Sequence, residues 1–377
     1  MKITVTVARI LTGLLFIFSG LVKAIDPRGL AYKMQEFFEA WANDGFMKSM
    51  MENLNHYALG FSIAMITLEV VVGVALLIGW QKRITTWILL LLMIFFTFLT
   101  SYVLFSGKIR ACGCFGDCIP LTPVQTFTKD IILLILAILL LVKRKYITPV
   151  AKPFFSFLYI LLATVLTLVL QFYVLKHLPL TDCLPYKKGN DILKLRQMPA
   201  DAIQDKKDFV FVYEKNGEKK EFQVSKLPDS SWKFFERKEI LIEKGKNNVP
   251  LINDFSLTTE IGNDTTEDIL NQKGVYYILF IKDLSDYPTN WDGDIKAILA
   301  ITTKNIPLYI VTAQRDKVKE KFSNKYVMQS KEYVPLIFTC DATAIKTVAR
   351  TNPTLYKMQG PVVQDKWGWP DFDKIGE

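Results

Sequence analysis

Histidine is almost absent from this chain: His56 and His177 are the only two in 377 residues. The five cysteines never fall into a Cys-x-x-Cys pair, and residues 26 to 56 contain none. Together these shortages leave a zinc knuckle short of ligands, because such sites use paired Cys-x-x-Cys spacings completed by histidine. The first apolar run is not followed by a small-residue cleavage site, which points to a retained span rather than a removed signal peptide. Nucleic acid is not expected as a partner despite the net charge of +9. Lysines of the second half alternate with acids, as in Glu218-Lys-Lys-Glu221 and Arg315-Asp-Lys-Val-Lys-Glu320. Such interleaving marks solvated faces, and no nucleic-acid motif accompanies it. The basic excess suits anionic lipid headgroups instead.

What the chain has in abundance is apolar sequence, concentrated in its first half. Five runs reach the length of about 20 residues that a helix needs to cross a bilayer. They lie near Val5 to Ile25, Ala58 to Trp80, Ile84 to Phe105, Pro123 to Val142 and Phe154 to Leu175. The expected partner of this half is the lipid bilayer. Between the first two runs, Leu30, Met34, Phe37, Phe38 and Trp41 recur at helical spacing among charges, which predicts a helix lying on the outer membrane surface. Lys82-Arg83 and Lys143-Arg144-Lys145 sit in very short connections, and with Lys2 and Arg9 they place those turns and the N-terminus in the cytoplasm. The expectation is a bacterial inner (cytoplasmic) membrane protein with its C-terminal half in the periplasm. All five cysteines, Cys112, Cys114, Cys118, Cys183 and Cys340, then lie on the oxidising side.

Three of those cysteines crowd into one loop, Cys112-Gly-Cys114-Phe-Gly-Asp-Cys118, ahead of the fourth apolar run. Buried structural cysteines scatter through a fold, so the crowding suggests chemistry. Thr122-Pro-Val-Gln125 reads as a capping box with proline at the first helical position, so a helix begins just after the loop. Its dipole, with Lys108, Arg110 and Lys129, favours thiolate over thiol. Cys114 with Cys118, or Cys112 with Cys118, is the expected cycling pair, Cys118 being the more reactive. Cys183, just beyond the fifth run, is the candidate to pair with one of the three. Glu69 stands in the middle of the second run, where a carboxylate needs a partner or a proton. It reads either as a proton or quinone group or as a structural partner of Arg9 or Thr12. Lys23 is expected to snorkel to the interface. Small residues at Gly13, Ser19 and Gly20 let a neighbouring helix come close.

The first-run pattern Phe18-Ser-Gly20, Lys23 and Asp26-Pro27, with Glu69 followed by Gly73, resembles the DoxX-like four-helix membrane proteins. The Cys112-Gly-Cys114-Phe-Gly116 element resembles the related MauE proteins of methylamine-dehydrogenase maturation. The resemblance covers residues 1 to about 145. It implies association with quinones or with thiol–disulfide chemistry outside the cytoplasm. The layout is also similar to bacterial vitamin K epoxide reductase-type enzymes fused to thioredoxin. Those carry Cys-x-x-Cys at the fourth span and a cysteine pair in the first outer loop, and both are missing here.

Beyond His177 the sequence predicts a small β-rich connector over 177–252, with a hairpin at Asp208–Tyr213, Asn216-Gly217 and Lys220–Val224. Residues 253–377 then alternate as strand and helix: Val275–Ile281, Trp291–Thr302, Pro307–Thr312, Arg315–Phe322, Pro335–Thr339, Thr343–Arg350 and a closing hairpin. Thr351-Asn-Pro353-Thr-Leu resembles the proline loop of thioredoxin-like domains, which implies a cis bond before Pro353. Where a working thioredoxin has Cys-x-x-Cys, this chain has Lys282-Asp-Leu-Ser-Asp-Tyr-Pro-Thr-Asn-Trp291 and no cysteine. Cys340 reads as a small, half-buried core residue. The expected fold class is therefore a membrane α-helical bundle of five spans plus an extracytoplasmic α/β thioredoxin-like domain.

Three functions stay open on the sequence. One is a thiol–disulfide or quinone-linked redox protein using Cys112, Cys114, Cys118, Lys129 and Glu69, for which quinone is the cofactor. Another is a non-catalytic assembly factor or complex subunit, whose thioredoxin-like domain binds an extracytoplasmic or membrane protein partner. The last is a thiolate metal site, for which three sulfurs suit copper(I) or zinc.

Overall fold

The computed structural model describes residues 1–109, 113–215, 217–224, 226–243, 245, 247–286, 306–325 and 335–375. The membrane half consists of α1 (Lys2–Ala24), α2 (Pro27–Asn43), α3 (Lys48–His56), α4 (Ala58–Ile78), α5 (Lys82–Ser106), α6 (Pro123–Val142) and α7 (Pro153–Lys176). Among the described residues five helices, α1, α4, α5, α6 and α7, are long and apolar enough to cross a membrane. They coincide with the five apolar runs to within a few residues. Their starts and stops follow from the sequence. Asp26 caps α2 by accepting from the Gly29 amide at 3.1 Å, with Pro27 at the first helical position. Thr122 and Gln125 form the reciprocal capping box of α6 at 3.3 and 3.0 Å. Gly79 ends α4 at φ +70°, where a Cβ would sit 2.7 Å from the Thr148 carbonyl oxygen.

The closest helix approach is α1 on α4. A Cβ on Gly73 would lie 2.8 Å from the Gly13 carbonyl oxygen, and one on Gly20 would meet Val70. Both glycines therefore allow backbone contact that any side chain would prevent. α5 packs on α6 to complete the bundle. α7 lies outside against α4, joined by Gln171 Nε2 donating to Thr67 Oγ1 at 3.0 Å.

The C-terminal half contains α8 (Ile192–Arg196), β1 (Lys206–Lys215), β2 (Glu218–Gln223), β3 (Lys233–Glu243), α9 (Thr266–Leu270), β4 (Val275–Ile281) and β5 (Leu308–Thr312). It continues with α10 (Arg315–Lys325), β6 (Leu336–Thr339), α11 (Ala342–Val348), β7 (Thr354–Gln359) and β8 (Val362–Gly368). Five strands form one sheet in the order β6-β5-β4-β7-β8, with β4, β5 and β6 parallel and the β7–β8 hairpin antiparallel. This is a thioredoxin-like sheet, and the Asn352–Pro353 bond leading into β7 is cis. β4 reads as a continuous apolar run because both its faces are covered. Tyr276, Ile278 and Phe280 enter the core beneath α11, while Tyr277, Leu279 and Ile281 enter the core with Val318 and Phe372. The helix expected over Trp291–Thr302 lies outside the described residues.

The stretch expected as a connector divides in two. β2-β1-β3 make a separate antiparallel sheet. The segments flanking it belong to the thioredoxin-like core, where Tyr186, Ile192 and Ile252 are buried with Phe255 and Leu257. The backbone around Gly189 and Ile192 pairs with Val363 and Pro361, which covers the edge of β8.

Candidate functional site beneath the cysteine loop

The bundle encloses a cavity of about 270 Å³ directly below the cysteine loop. α2 roofs it with Leu30, Met34, Phe37, Phe38 and Trp41, so these side chains face the cavity rather than only an outer surface. Phe37 is buried against Val103 and Ile109. The walls come from α1, α4, α5 and α6, and Gly113, Cys114 and Phe115 of the loop close one side.

Few polar groups reach this apolar space, and they are paired. Lys23 Nζ lies 2.5 Å from Glu69 Oε1, with both side chains almost fully buried. Lys23 therefore does not snorkel to the interface. Its ammonium turns inward because the alternative leaves Glu69 unpaired in an apolar bundle. Arg9 is not the partner of Glu69 either; its Nη1 donates to the Thr148 carbonyl at 2.9 Å, at the other end of the bundle. Ser19 Oγ stands 3.0 Å from the Cys114 carbonyl oxygen and 3.5 Å from Glu69 Oε2, linking the loop to the ion pair. Lys129 pairs with buried Asp130 at 2.8 Å and lies 4.9 Å from the centre of the Phe115 ring. Its ammonium is within electrostatic reach of Cys114. Phe115 in turn packs on Phe18 at 5.9 Å between ring centres. Cys114, Lys129, Glu69 and Lys23 thus line one cavity.

Cys118 is placed differently. It is bonded to Cys183, with 4.8 Å between their Cα atoms. The expected cycling pairs within the loop are therefore not the bond that Cys118 makes, and it is not the free reactive thiol expected beside Thr122. Cys112 lies outside the described residues. Cys340 is buried at the end of β6, where burial pushes its thiol up to about 11. Among the described residues no group of three or more His, Cys, Asp or Glu side chains is placed to hold a metal ion.

The thioredoxin-like domain meets the bundle with the face that carries its proline loop. Arg350, nearly buried, bonds Asp26 at 2.7 Å and Asp117 at 3.1 Å. Lys282 Nζ donates to Tyr32 Oη at 3.2 Å, and Lys346 reaches Gln35 at 3.4 Å. Asn352 ties the loop after β4 to the proline loop. Its Oδ1 accepts from the Lys282 amide at 2.9 Å and its Nδ2 donates to the Asp286 carbonyl at 3.0 Å. The position of a thioredoxin's thiol pair is thus turned toward α2. Nothing in the sequence singled out Arg350, Tyr32 or Asp117 for this contact; of the partners, Asp26 stood in a marked pattern, the Asp26-Pro27 of the first run.

Fold and site together define a five-span membrane protein whose cysteine loop lies between an apolar bundle cavity and a thioredoxin-like domain without a Cys-x-x-Cys pair. Residues 1–143, the part of the chain with the first four spans, match the family described as methylamine utilisation protein MauE. Residues 208–244, which hold most of the three-stranded sheet, match a domain of unknown function (DUF8463). The chain is 32% identical over 176 residues to Protein TlpB of Flavobacterium psychrophilum, an alignment covering 43% of this chain and 42% of that protein. The chain thus spans less than half the length of this curated relative. No solved structure matches the chain.

Proposed function

We propose that this protein is a thiol–disulfide redox protein of the bacterial inner membrane, linked to a quinone bound in the bundle cavity. In this reading the N-terminus is cytoplasmic and the thioredoxin-like domain periplasmic. The observation that carries it is the convergence of Cys114, Lys129 and the Lys23–Glu69 pair on one aromatic cavity. The cavity suits a flat, apolar ring: its lining is mostly Phe, Met and Leu, and its polar groups are hydrogen-bonding ion pairs. Phe38, Phe96 and Met65 would hold such a ring, with Lys23, Glu69 and Lys129 facing its oxygens. A quinone bound there would supply the two-electron acceptor. Once an outside thiol has opened the Cys118–Cys183 bond, Cys114 and Cys118 would give up two electrons and two protons and close to one disulfide. The Lys129 ammonium, within electrostatic reach of Cys114, would favour release of the thiol proton as the disulfide forms, and the Lys23–Glu69 pair would carry protons through an otherwise dry space.

In purified protein in lipid nanodiscs with dithiothreitol and a soluble quinone analogue, quinone absorbance should fall with the wild type and not with Cys114→Ser. Equal rates for both would overturn the reading. Orientation is tested by an impermeant maleimide on reduced, intact cells. Labelling of the loop supports it, and labelling only after the inner membrane is breached reverses it.

The assembly-factor reading fits less well. The face by which a thioredoxin-like domain holds polypeptides is occupied by α2 and the cysteine loop. The metal reading loses one of its three sulfurs to the Cys118–Cys183 bond.

A further inference from the structure

A second cavity, about 530 Å³ and bordered by several charged side chains, opens where the thioredoxin-like domain meets α2. Tyr32 and Glu36 of α2, Thr343 and Lys346 of α11, and the segment from Cys183 to Asn190 border it. Cys183, bonded to Cys118, forms part of its wall. Cys183 borders both this cleft and a pocket of about 20 Å³ behind it, against Val22 and Ile25, whereas Cys118 borders the small pocket. That pocket has room for little more than a water. Among the described residues, Cys183 is thus the member of the pair that borders a cleft large enough for an incoming peptide thiol.

We infer that the cleft is the entry site for an external cysteine thiol, which attacks Sγ of Cys183. The inference rests on the redox reading and adds its substrate class and point of attack. The incoming thiolate bonds to Cys183 Sγ while the bond to Cys118 breaks, and Cys118 leaves as thiolate and takes a proton from water. A second thiol of the same partner, or of a second small molecule, then attacks the mixed disulfide. The partner leaves as a disulfide, and Cys118 and Cys183 remain as thiols. Two partner thiols are oxidised and one protein disulfide is reduced. The border supplies charges of both signs, Lys33, Lys187 and Lys346 with Glu36 and Glu39. Those are groups suited to a short peptide segment around a cysteine. A tripeptide thiol and a cysteine in an extended polypeptide share that chemistry.

The test uses full-length protein in nanodiscs without quinone. Cys118→Ser leaves Cys183, and Cys183→Ser leaves Cys118; each is mixed with a cysteine peptide, and with glutathione, activated as the nitrothiobenzoate disulfide. Release of the coloured thiol gives the rate, and peptide mapping gives the residue. Cys183 should react at least about tenfold faster than Cys118, as access controls exchange. Thr343→Trp, on an exposed position of α11, should slow the Cys183 reaction by a similar factor. Slowing of the peptide alone assigns the site to polypeptides, and slowing of both assigns it to small thiols as well. In oxidised wild type, thiol peptide followed by acid quench should leave the mixed disulfide on Cys183. Equal rates at the two cysteines, insensitivity to Thr343→Trp, or a mixed disulfide on Cys118 would each overturn the inference. Any of these with dithiol-driven quinone reduction intact leaves the redox reading standing.

Discussion

Arg350 and Asp117 are joined at 3.1 Å across the seam between the thioredoxin-like domain and the cysteine loop. The same guanidinium holds Asp26, the residue that caps α2, at 2.7 Å, and also donates to the Lys346 carbonyl at 2.8 Å. One side chain therefore fixes three things: the residue before Cys118, the start of the helix that roofs the cavity, and the last turn of α11. A domain without a Cys-x-x-Cys pair is coupled through this contact to the loop that carries three cysteines.

Replacing Arg350 should loosen all three. Arg350→Met removes a nearly buried cation and leaves two carboxylates facing an apolar side chain. Both carboxylates are partly exposed, so the expected loss is about 2–3 kcal/mol, below the value for a fully buried pair. Hydrogen exchange should rise in residues 113–118 and in the first turn of α2, and Arg350→Lys should restore only part of the protection. Unchanged exchange in both segments would contradict the coupling.

The Lys23–Glu69 pair allows a test that separates folding from chemistry. Glu69→Leu strands a buried ammonium, and Lys23→Met strands a buried carboxylate, so each single variant should lower thermal stability, by about 3–5 kcal/mol. The double variant, which leaves no charge, should recover most of that loss. If the pair serves the redox step, the recovered protein should still fail to reduce a quinone analogue. Full activity in the stable double variant would reduce the pair to a structural role.

The five spans and the strands of the thioredoxin-like sheet were legible because each obeys a simple pattern. A run of about 20 apolar residues is hard to place anywhere but across a bilayer, and β4 is apolar throughout because both faces are covered. β3 was not legible. All eleven residues of Lys233–Glu243 are exposed, so no burial pattern marked the strand. The site divides in the same way. Glu69, Lys129 and the cysteine loop stood out as charges or thiols out of place. The partner of Glu69 did not, because snorkelling and inward pairing give a lysine near a helix end the same sequence signature. The Arg350 contacts join residues 324 and 233 positions apart, which no local pattern encodes.

The Cys118–Cys183 bond closes a loop with a sequence separation of 65. Constraint of the unfolded chain by a loop of that length is worth roughly 4 kcal/mol in the chain-entropy account, with 2–4 kcal/mol typical of measured bridges. Cys118→Ser and Cys183→Ser should therefore destabilise alike, and the double variant no more than either. Differential scanning of the three variants checks this. A much larger loss from one single variant would mean that its thiol has a further structural partner.

The docking of the two halves should tighten as pH rises. Lys282 gives its ammonium to Tyr32 inside the seam, and burial, reinforced by the cations of Arg28, Arg350 and Lys346, pulls it down from 10.5 to about 7; Asp286 opposes this. Tyr32 is itself pushed above its usual range by burial and stays protonated across neutral pH. When the seam opens, Lys282 returns to about 10.5 and takes up a proton that it lacks when docked above pH 7. Proton uptake on opening means that higher pH favours the closed form. The gain accumulates between pH 7 and about 10.5 and is flat below that window. Spin-label distances between α3 and α10 should show a larger docked fraction at about pH 9.5 than at about pH 7. Lys282→Met, which keeps the packing and removes the titration, should be docked to the same extent at both. A docked fraction that falls with pH in the wild type, or a slope that survives in Lys282→Met, would show that another group controls the seam.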